Sequence, residues 1–273
     1  MTSLKEAFLS KYPKYNIILT MFEEANECQA TWGNLSKIRL QKFVDYMGER
    51  ISPNSVRQYC AKLKAVLNLY NEEVSLPKDY QRVLSIKQER STNIWLNDSD
   101  LEKLIDYEPK NENERLVKGQ FLIGCFSGCR HSDFSQLSET NIMDGMLSYV
   151  SQKTKIQATV PLKPIVAKLL KETPKKEVSD VSFNDILRRI CHESGITERV
   201  KIFKAGKIKE CEKYLCVSSH SARRSFATNL YLRGADLYSI SRMMGHSSVE
   251  MTSQNYICCG LRDQSPEVME YFK

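Results

Sequence analysis

Hydrophobic periodicity is lost between residues 77 and 93, and this break divides the chain into two parts that must each build a core of their own. Upstream, NSVRQYCAKLKAVLNLY (residues 54–70) places Val56, Tyr59, Cys60, Leu63, Val66, Leu67 and Tyr70 on one face at three- and four-residue steps, which predicts an amphipathic helix. Ser52 and Pro53 mark its start. The earlier stretch SKIRLQKFVDYM predicts a second helix that buries Leu40, Phe43, Val44 and Met47. The outer faces of these helices carry Lys37, Arg39, Lys42, Arg57, Lys62 and Lys64. Such cations could track phosphates, or they could be ordinary solvated lysines and arginines. The break opens at Pro77 and closes with KQERSTN, the charged and small polar composition of an interdomain linker.

Beyond the break, Ser99 and Glu102 have capping-box spacing ahead of Leu101, Leu104 and Ile105. Residues 115–128 are mostly apolar and predict a buried helix. MLSYVSQ and IQATVPL flank the turn-like KTK and predict a β-hairpin. VKIFKAGKIKECEKY, with Gly206 near its middle, predicts another. Helices are expected at 164–172, 184–194, 220–233 and 236–244. The pattern is that of a mainly α chain with small β-hairpins, an α+β fold, without internal repeats or low-complexity tracts.

Composition narrows the function classes. With 273 residues, 41% of them hydrophobic, the chain can bury the cores of one or two domains. A net charge of +7 fits a polyanionic partner without proving one. Nine cysteines include no C-x-x-C pair and fall mostly within apolar runs. Neither a zinc site nor a disulfide framework is favoured, and reduced thiols in a cytoplasmic protein are the simpler reading. MTSLKEAFLSKYPKY has no apolar signal-peptide core, and no apolar stretch approaches the roughly 18 residues a membrane span needs.

The polar residues that remain include types suited to breaking a phosphodiester. That reaction needs a nucleophile, donors for the two non-bridging oxygens and an acid for the departing oxygen. Arginine suits the second task because its planar fork grips phosphate and stays charged. Histidine and lysine suit proton and electrostatic roles. Arg130 lies in SGCRHSDFSQL, after the apolar helix, and Lys153 lies in QKTKIQATVPL at the first hairpin. His220 and Arg223 lie three apart in SSHSARRSFATNL and share a helical face. His246 follows Gly245 in MMGHSS, and Tyr256 lies in SQNY, ten residues further on. Each residue has a structural alternative: Arg130 a cap, His220 and Arg223 a surface pair, His246 a C-cap, and Tyr256 a core aromatic.

Taken together, the segment from Gly128 to Tyr256 resembles the tyrosine recombinases, or phage integrases. SGCRHSD resembles the box around that family's first arginine, and HSARRSFATNLYLRGADLYSISRMMGHSS resembles its H-x-x-R…GH box. FNDILRRI and the long hairpin before His220 look most like integrases of Bacteroidetes mobile elements. The resemblance covers roughly the last 180 residues well and the N-terminal part loosely. One departure stands out: the family has nine residues from the last histidine to the tyrosine, and this chain has ten.

The resemblance implies a helical core-binding domain at 1–90 and a catalytic domain at 91–273, closing as a C-shaped clamp on DNA. It implies Tyr256 as nucleophile, forming a 3′-phosphotyrosyl link, with Arg130, Arg223, His220 and His246 stabilising the charge and Lys153 protonating the leaving oxygen. Lys155 is two residues from Lys153 and would share its face on a continuing strand, so alternation does not separate them; alignment of V-P-L to the family's strand end selects Lys153. Asp133 occupies the family's acidic position, as an orienting group or a surface carboxylate. Arg224 is a DNA contact or surface charge. Packing accounts for Cys258 and Cys259 better than redox control.

No cofactor or metal is expected. The expected partner is double-stranded DNA at specific recombination sites, bound by a homotetramer on two sites that is monomeric or dimeric without DNA. SPEVMEYFK could be the exchanged C-terminal segment. The early start of the core-binding helices leaves this chain no room for a preceding arm-binding domain, so the expectation is either a compact recombinase or a shortened form of a longer one. Two other readings stay open: a DNA-binding regulator of this fold that no longer cuts, favoured only by the tyrosine spacing, and a topoisomerase using the same chemistry.

Overall fold

The computed structural model describes residues 2–89, 93–204 and 207–259. The chain divides into two compact units, Met1–Ser91 with Phe203–Lys207, and Thr92–Ile202 with Ile208–Lys273.

The first unit contains α1 (Leu4–Lys11), α2 (Ile17–Asn26), α3 (Lys37–Arg50), α4 (Pro53–Leu69) and α5 (Tyr80–Val83). Serine side chains start three of these helices: Ser3 in a capping box with Glu6, Ser36 ahead of α3, and Ser52 ahead of Pro53. The predicted apolar faces of α3 and α4 are turned inward. Phe43, Met47, Cys60 and Leu63 are buried with Phe8 and Phe22, while Val44, Tyr59 and Tyr70 are only partly covered. The expected linker contributes more structure than its periodicity suggests. Tyr80 and Leu84 are buried in this core, and the Tyr80 hydroxyl donates to Asn68 Oδ1 at 2.8 Å. A four-residue helix is too short to show a helical period, so composition alone dominated that prediction.

The second unit is built around α7 (Glu112–Ser127), preceded by α6 (Asp98–Asp106). Buried positions occur around most of α7, including Val117, Phe121, Leu122 and Ile123, because other helices surround it. It begins earlier than its apolar run because Asn111 caps it, the side chain accepting from Glu114 N at 3.0 Å. The capping box of α6 is made by Asn97 and Asp100 rather than by Ser99 and Glu102. Two candidate boxes overlap in that sequence. Asp100 takes the role because it also meets the buried Lys213 ammonium at 2.7 Å, whereas Ser99 and Glu102 are exposed.

Then follow α8 (His131–Phe134), β1 (Ile142–Met143), β2 (Met146–Val150) and β3 (Gln157–Pro161). The expected hairpin is part of a three-stranded antiparallel sheet in the order β1-β2-β3, with Leu147 opposite Val160 and Tyr149 opposite Ala158. KTK does not form a tight turn. It lies in a wider loop closed by Ser151 N–H donating to Ile156 O at 3.0 Å. Two-residue β1 carries no alternation that could have revealed it.

The chain continues with α9 (Pro164–Glu172), α10 (Asp180–Glu193), the two-stranded sheet of β4 (Arg199–Lys204) and β5 (Lys207–Glu212), α11 (Ser219–Leu232), α12 (Leu237–Met243) and α13 (Val249–Tyr256). Helix α10 starts four residues before its predicted onset because Ser179 caps it through Ser182 N–H. The turn containing Gly206 and the segment SPEVMEYFK lie outside the described residues. No disulfide joins the cysteines among the described residues, and no described helix is long and apolar enough to cross a membrane.

Candidate active site

Arg130 owes its place to the end of α7. That helix stops at Gly128, whose φ of +68° is a left-handed C-cap. Arg130 is then the N-cap residue of α8, and its Nη1 donates to Ser151 Oγ at 2.8 Å. Burial and the like charge of Arg223 work against the Arg130 cation, while Asp133 works for it. Asp133 is buried one turn further on. Its Oδ1 accepts from Gln152 N–H at 2.9 Å, and its Oδ2 has no hydrogen-bond partner. The acidic residue therefore ties down the loop after β2 rather than gripping an arginine directly.

Lys153 and Lys155 lie on that loop. Thr154 Oγ1 donates to Gly245 O at 3.3 Å, so the segment around Lys153 is held from α8 on one side and from the end of α12 on the other. Lys155 is a positive-φ residue, at +56°, and so the two lysines do not continue a strand. Lys153 lines a cavity of about 530 Å³ shared with Arg130, His220 and Tyr256; Lys155 does not line it.

Among the described residues, Arg223 is the largest fully buried side chain, 1% exposed. Its Nη1 donates to Gly128 O, and its Nη2 donates to Met244 O at 3.2 Å and to His246 Nε2. Its Nε–H is buried without a partner. A guanidinium has only donors, so His246 must accept at Nε2 and carry its proton on Nδ1, which donates to Thr252 Oγ1 at 2.8 Å. Burial, reinforced by the positive charges of Arg223 and Arg130, pushes the His246 pKa down to about 3. In this arrangement His246 is neutral and serves as an acceptor for Arg223, not as a second cation.

His220, near the start of α11, is exposed at the cavity edge. Desolvation and then the charges of Arg224 and Arg223 lower its pKa. Tyr256 is the last residue of α13. Its ring lies 4.7 Å from the His246 ring, and the Arg223 guanidinium carbon lies 5.0 Å from its centroid. The ten-residue interval thus still brings Tyr256 to the cavity: Ser248 caps α13, and two turns of helix carry the chain back over His246. The cavity also has acidic lining. Asp180 meets His131 Nδ1 at 2.8 Å, and Glu177 accepts from Gln136 at 3.4 Å.

Sequence reasoning missed the partners that hold these groups: Gly128 and Met244 through their carbonyls, Ser151 and Thr252 through their hydroxyls. Small hydroxyl residues and main-chain carbonyls have no chemical signature of their own, so only spatial proximity reveals them.

The other cations are distributed differently. In the first unit, Lys37 pairs with Asp79 at 2.6 Å, and Arg39 donates to Asn34 Oδ1 at 2.9 Å. Lys62 lies over the Tyr15 ring at 4.3 Å. Lys42 is exposed, and Arg57, Lys64 and Lys87 line a shallow concavity of about 340 Å³. In the second unit Arg224 is half-buried, with its Nε unpartnered. No cluster of three metal-ligating side chains occurs among the described residues.

Residues 94–259 match the model described as the phage integrase family. Tyrosine recombinase XerD of Listeria innocua serovar 6a is 26% identical over 211 residues, spanning 74% of this chain and 70% of that protein. Among solved structures, a lambda integrase dimer bound to a COC′ core site superposes with a TM-score of 0.68 at 14% identity, covering 95% of this chain and 97% of that one. A lambda integrase tetramer bound to a Holliday junction gives 0.64 at 13% identity, covering 91% and 78%. At these identities the structural likeness is one of fold.

Proposed function

Because the chain belongs to the phage integrase family and is a site-specific tyrosine recombinase, we propose that it cuts and rejoins duplex DNA with Tyr256 as the nucleophile. The observation that carries this reading is the convergence of Arg130, Lys153, His220 and Tyr256 on one cavity, with Arg223 and His246 packed beneath the tyrosine ring.

In this reading the Tyr256 hydroxyl attacks the scissile phosphorus and gives up its proton to solvent, a 3′-phosphotyrosyl bond forms, the P–O5′ bond breaks, and the 5′ oxygen leaves with a proton from Lys153. Arg130, Arg223 and His220 stabilise charge on the non-bridging oxygens. His246 acts through Arg223: it accepts one guanidinium N–H and so orients the fork. The covalent link conserves the energy of the broken bond, and a 5′ hydroxyl from a partner duplex reverses the step without ATP or metal.

Residues 1–90 are the core-binding domain and 91–273 the catalytic domain. Arg57 and Lys64, beside Lys87, are the best-placed phosphate contacts in the first unit. The active assembly is a tetramer on two sites, in the cytoplasm of a bacterium. FNDILRRI and the long hairpin before His220 support a source among Bacteroidetes mobile elements.

A nicked substrate that loses its 5′ fragment after cleavage tests this. Wild type accumulates a protease-sensitive adduct, and Tyr256→Phe binds the same DNA without forming one. An adduct from the Phe variant refutes the assignment.

A further inference from the structure

Thr228 lies within α11, fully buried, and its hydroxyl does not engage its own helix. Serine and threonine hydroxyls inside helices often donate to the carbonyl four residues back. Ser225, three positions earlier, does so, donating to Ser221 O at 2.8 Å. Thr228 Oγ1 instead donates to the carbonyl of Tyr256 at 3.0 Å and accepts from Cys258 N–H at 3.1 Å. One hydroxyl therefore brackets the main chain on both sides of Ile257.

The location gives the bracket its meaning. Tyr256 ends α13, where the last carbonyls have no partner within the helix. The partner comes from α11, the helix that also carries His220 and Arg223. The backbone of the tyrosine and the guanidinium under its ring are thus referenced to one rigid element.

We propose that Thr228 is a positioning residue which, through this main-chain bracket, sets the height of the Tyr256 hydroxyl over the Arg223 cradle for attack on DNA. The inference rests on Tyr256 being the nucleophile. Thr228 is buried, and its hydroxyl there holds the Tyr256 carbonyl and the Cys258 N–H, so it acts through Tyr256 and not on the phosphate. The alternative is a helix cap that contributes stability alone.

Three variants separate these roles. The measurements are the rate of adduct formation on the nicked substrate at saturating protein, and the affinity for the same DNA. Valine keeps the shape of threonine and removes the hydroxyl. Misplacement by a fraction of an ångström is enough to slow attack, so Thr228→Val is expected to be about 10–100-fold slower with affinity within about twofold. Thr228→Ser keeps the bracket and stays within about threefold of wild type. A 5′-bridging phosphorothioate removes the need for a leaving-group proton and should not rescue Thr228→Val, because geometry is what that variant loses.

A wild-type rate for Thr228→Val overturns the inference. So does an equal loss in Thr228→Ser, a parallel loss of affinity, or rescue by sulfur. If Thr228→Val does not fold, Cys258→Pro removes the N–H end of the bracket together with the Cys258 thiol, which donates to Tyr256 O at 3.6 Å, so its rate is read against Cys258→Ala, which removes the thiol alone. Ile257 is already extended (φ −83°, ψ 113°), as a residue before proline must be. A slower rate with affinity retained in Cys258→Pro supports the inference, and an unchanged rate overturns it. Tyr256→Phe is run alongside. An adduct from that variant removes the premise; no adduct from it, with a wild-type rate in Thr228→Val, removes the inference alone.

Discussion

Lys153 and Lys155 are chemically identical and two residues apart, yet the loop after β2 separates them. Gln152 and Thr154 are each anchored, so the lysine between them is held at the cavity, while Lys155 turns through a left-handed conformation outside it. If Lys153 supplies the leaving-group proton, Lys153→Ala cleaves ordinary DNA slowly. It should recover on a 5′-bridging phosphorothioate, where sulfur departs without protonation. Lys155→Ala should be mildly weakened on both substrates, through DNA affinity. Recovery of the Lys155 variant but not the Lys153 variant reverses the assignment. His246 makes a second prediction. In the unfolded chain its imidazole takes up a proton below the ordinary value of 6.5, whereas in the native state it does so only near 3. Between those values the unfolded state holds more protons, so this part of the stability is full above pH 6.5 and declines as pH falls toward 3. His246→Gln should flatten that slope relative to wild type in denaturant titrations. His220 shifts in the same direction but is present in both proteins, so the difference isolates His246. Parallel curves would show that the buried ring is not held neutral.

At the level of elements, the site depends on how α7 ends against α11. Gly128 combines the left-handed cap, the carbonyl that receives Arg223, and a close approach to Phe226. A Cβ there would sit 2.5 Å from the Phe226 ring. Gly128→Ala meets both the backbone preference and the overlap, and should destabilise the protein by roughly 1–3 kcal/mol. Because the strained carbonyl is the one that orients Arg223, adduct formation at saturation should fall as well. Gly145 is the control: it has positive φ but open space around its Cβ position, and it lies away from Arg223 contacts. An equal loss of rate in Gly145→Ala would mean that the effect is general destabilisation. The start of α6 shows a different principle. Both Asn97 and Ser99 are competent caps, and the buried Asp100–Lys213 pair decides between them.

For the whole molecule, a net charge of +7 and the cations of both units make DNA affinity salt-dependent. Removing a phosphate contact in the first unit, as in Arg57→Ala or Lys64→Ala, should weaken binding and lower the salt slope by about one unit per contact. The rate at saturation should not change, since these residues lie outside the unit that carries Tyr256. EDTA should leave that rate intact, because no step of the proposed reaction passes through a metal. A strict magnesium requirement would point instead to a two-metal nuclease mechanism.

The order of Arg130, His220, Arg223, His246 and Tyr256 along the chain, together with the helical spacing of His220 and Arg223, was enough to identify the family and the candidate site. Those patterns are local or depend on chain order, as are the apolar faces of α3 and α4 and the proline that opens α9. The sequence also supplied both lysines, but it separated them only by alignment to a relative's strand end. Tertiary structure decided the rest because the deciding interactions are remote in sequence. Arg130 meets Ser151, Arg223 meets Gly128 and Met244, and Thr228 meets Tyr256. The charge state of His246 belongs to the same class. Histidine ordinarily titrates near neutrality, and what suppresses its proton here is burial beside two arginines that lie 23 and 116 residues away along the chain.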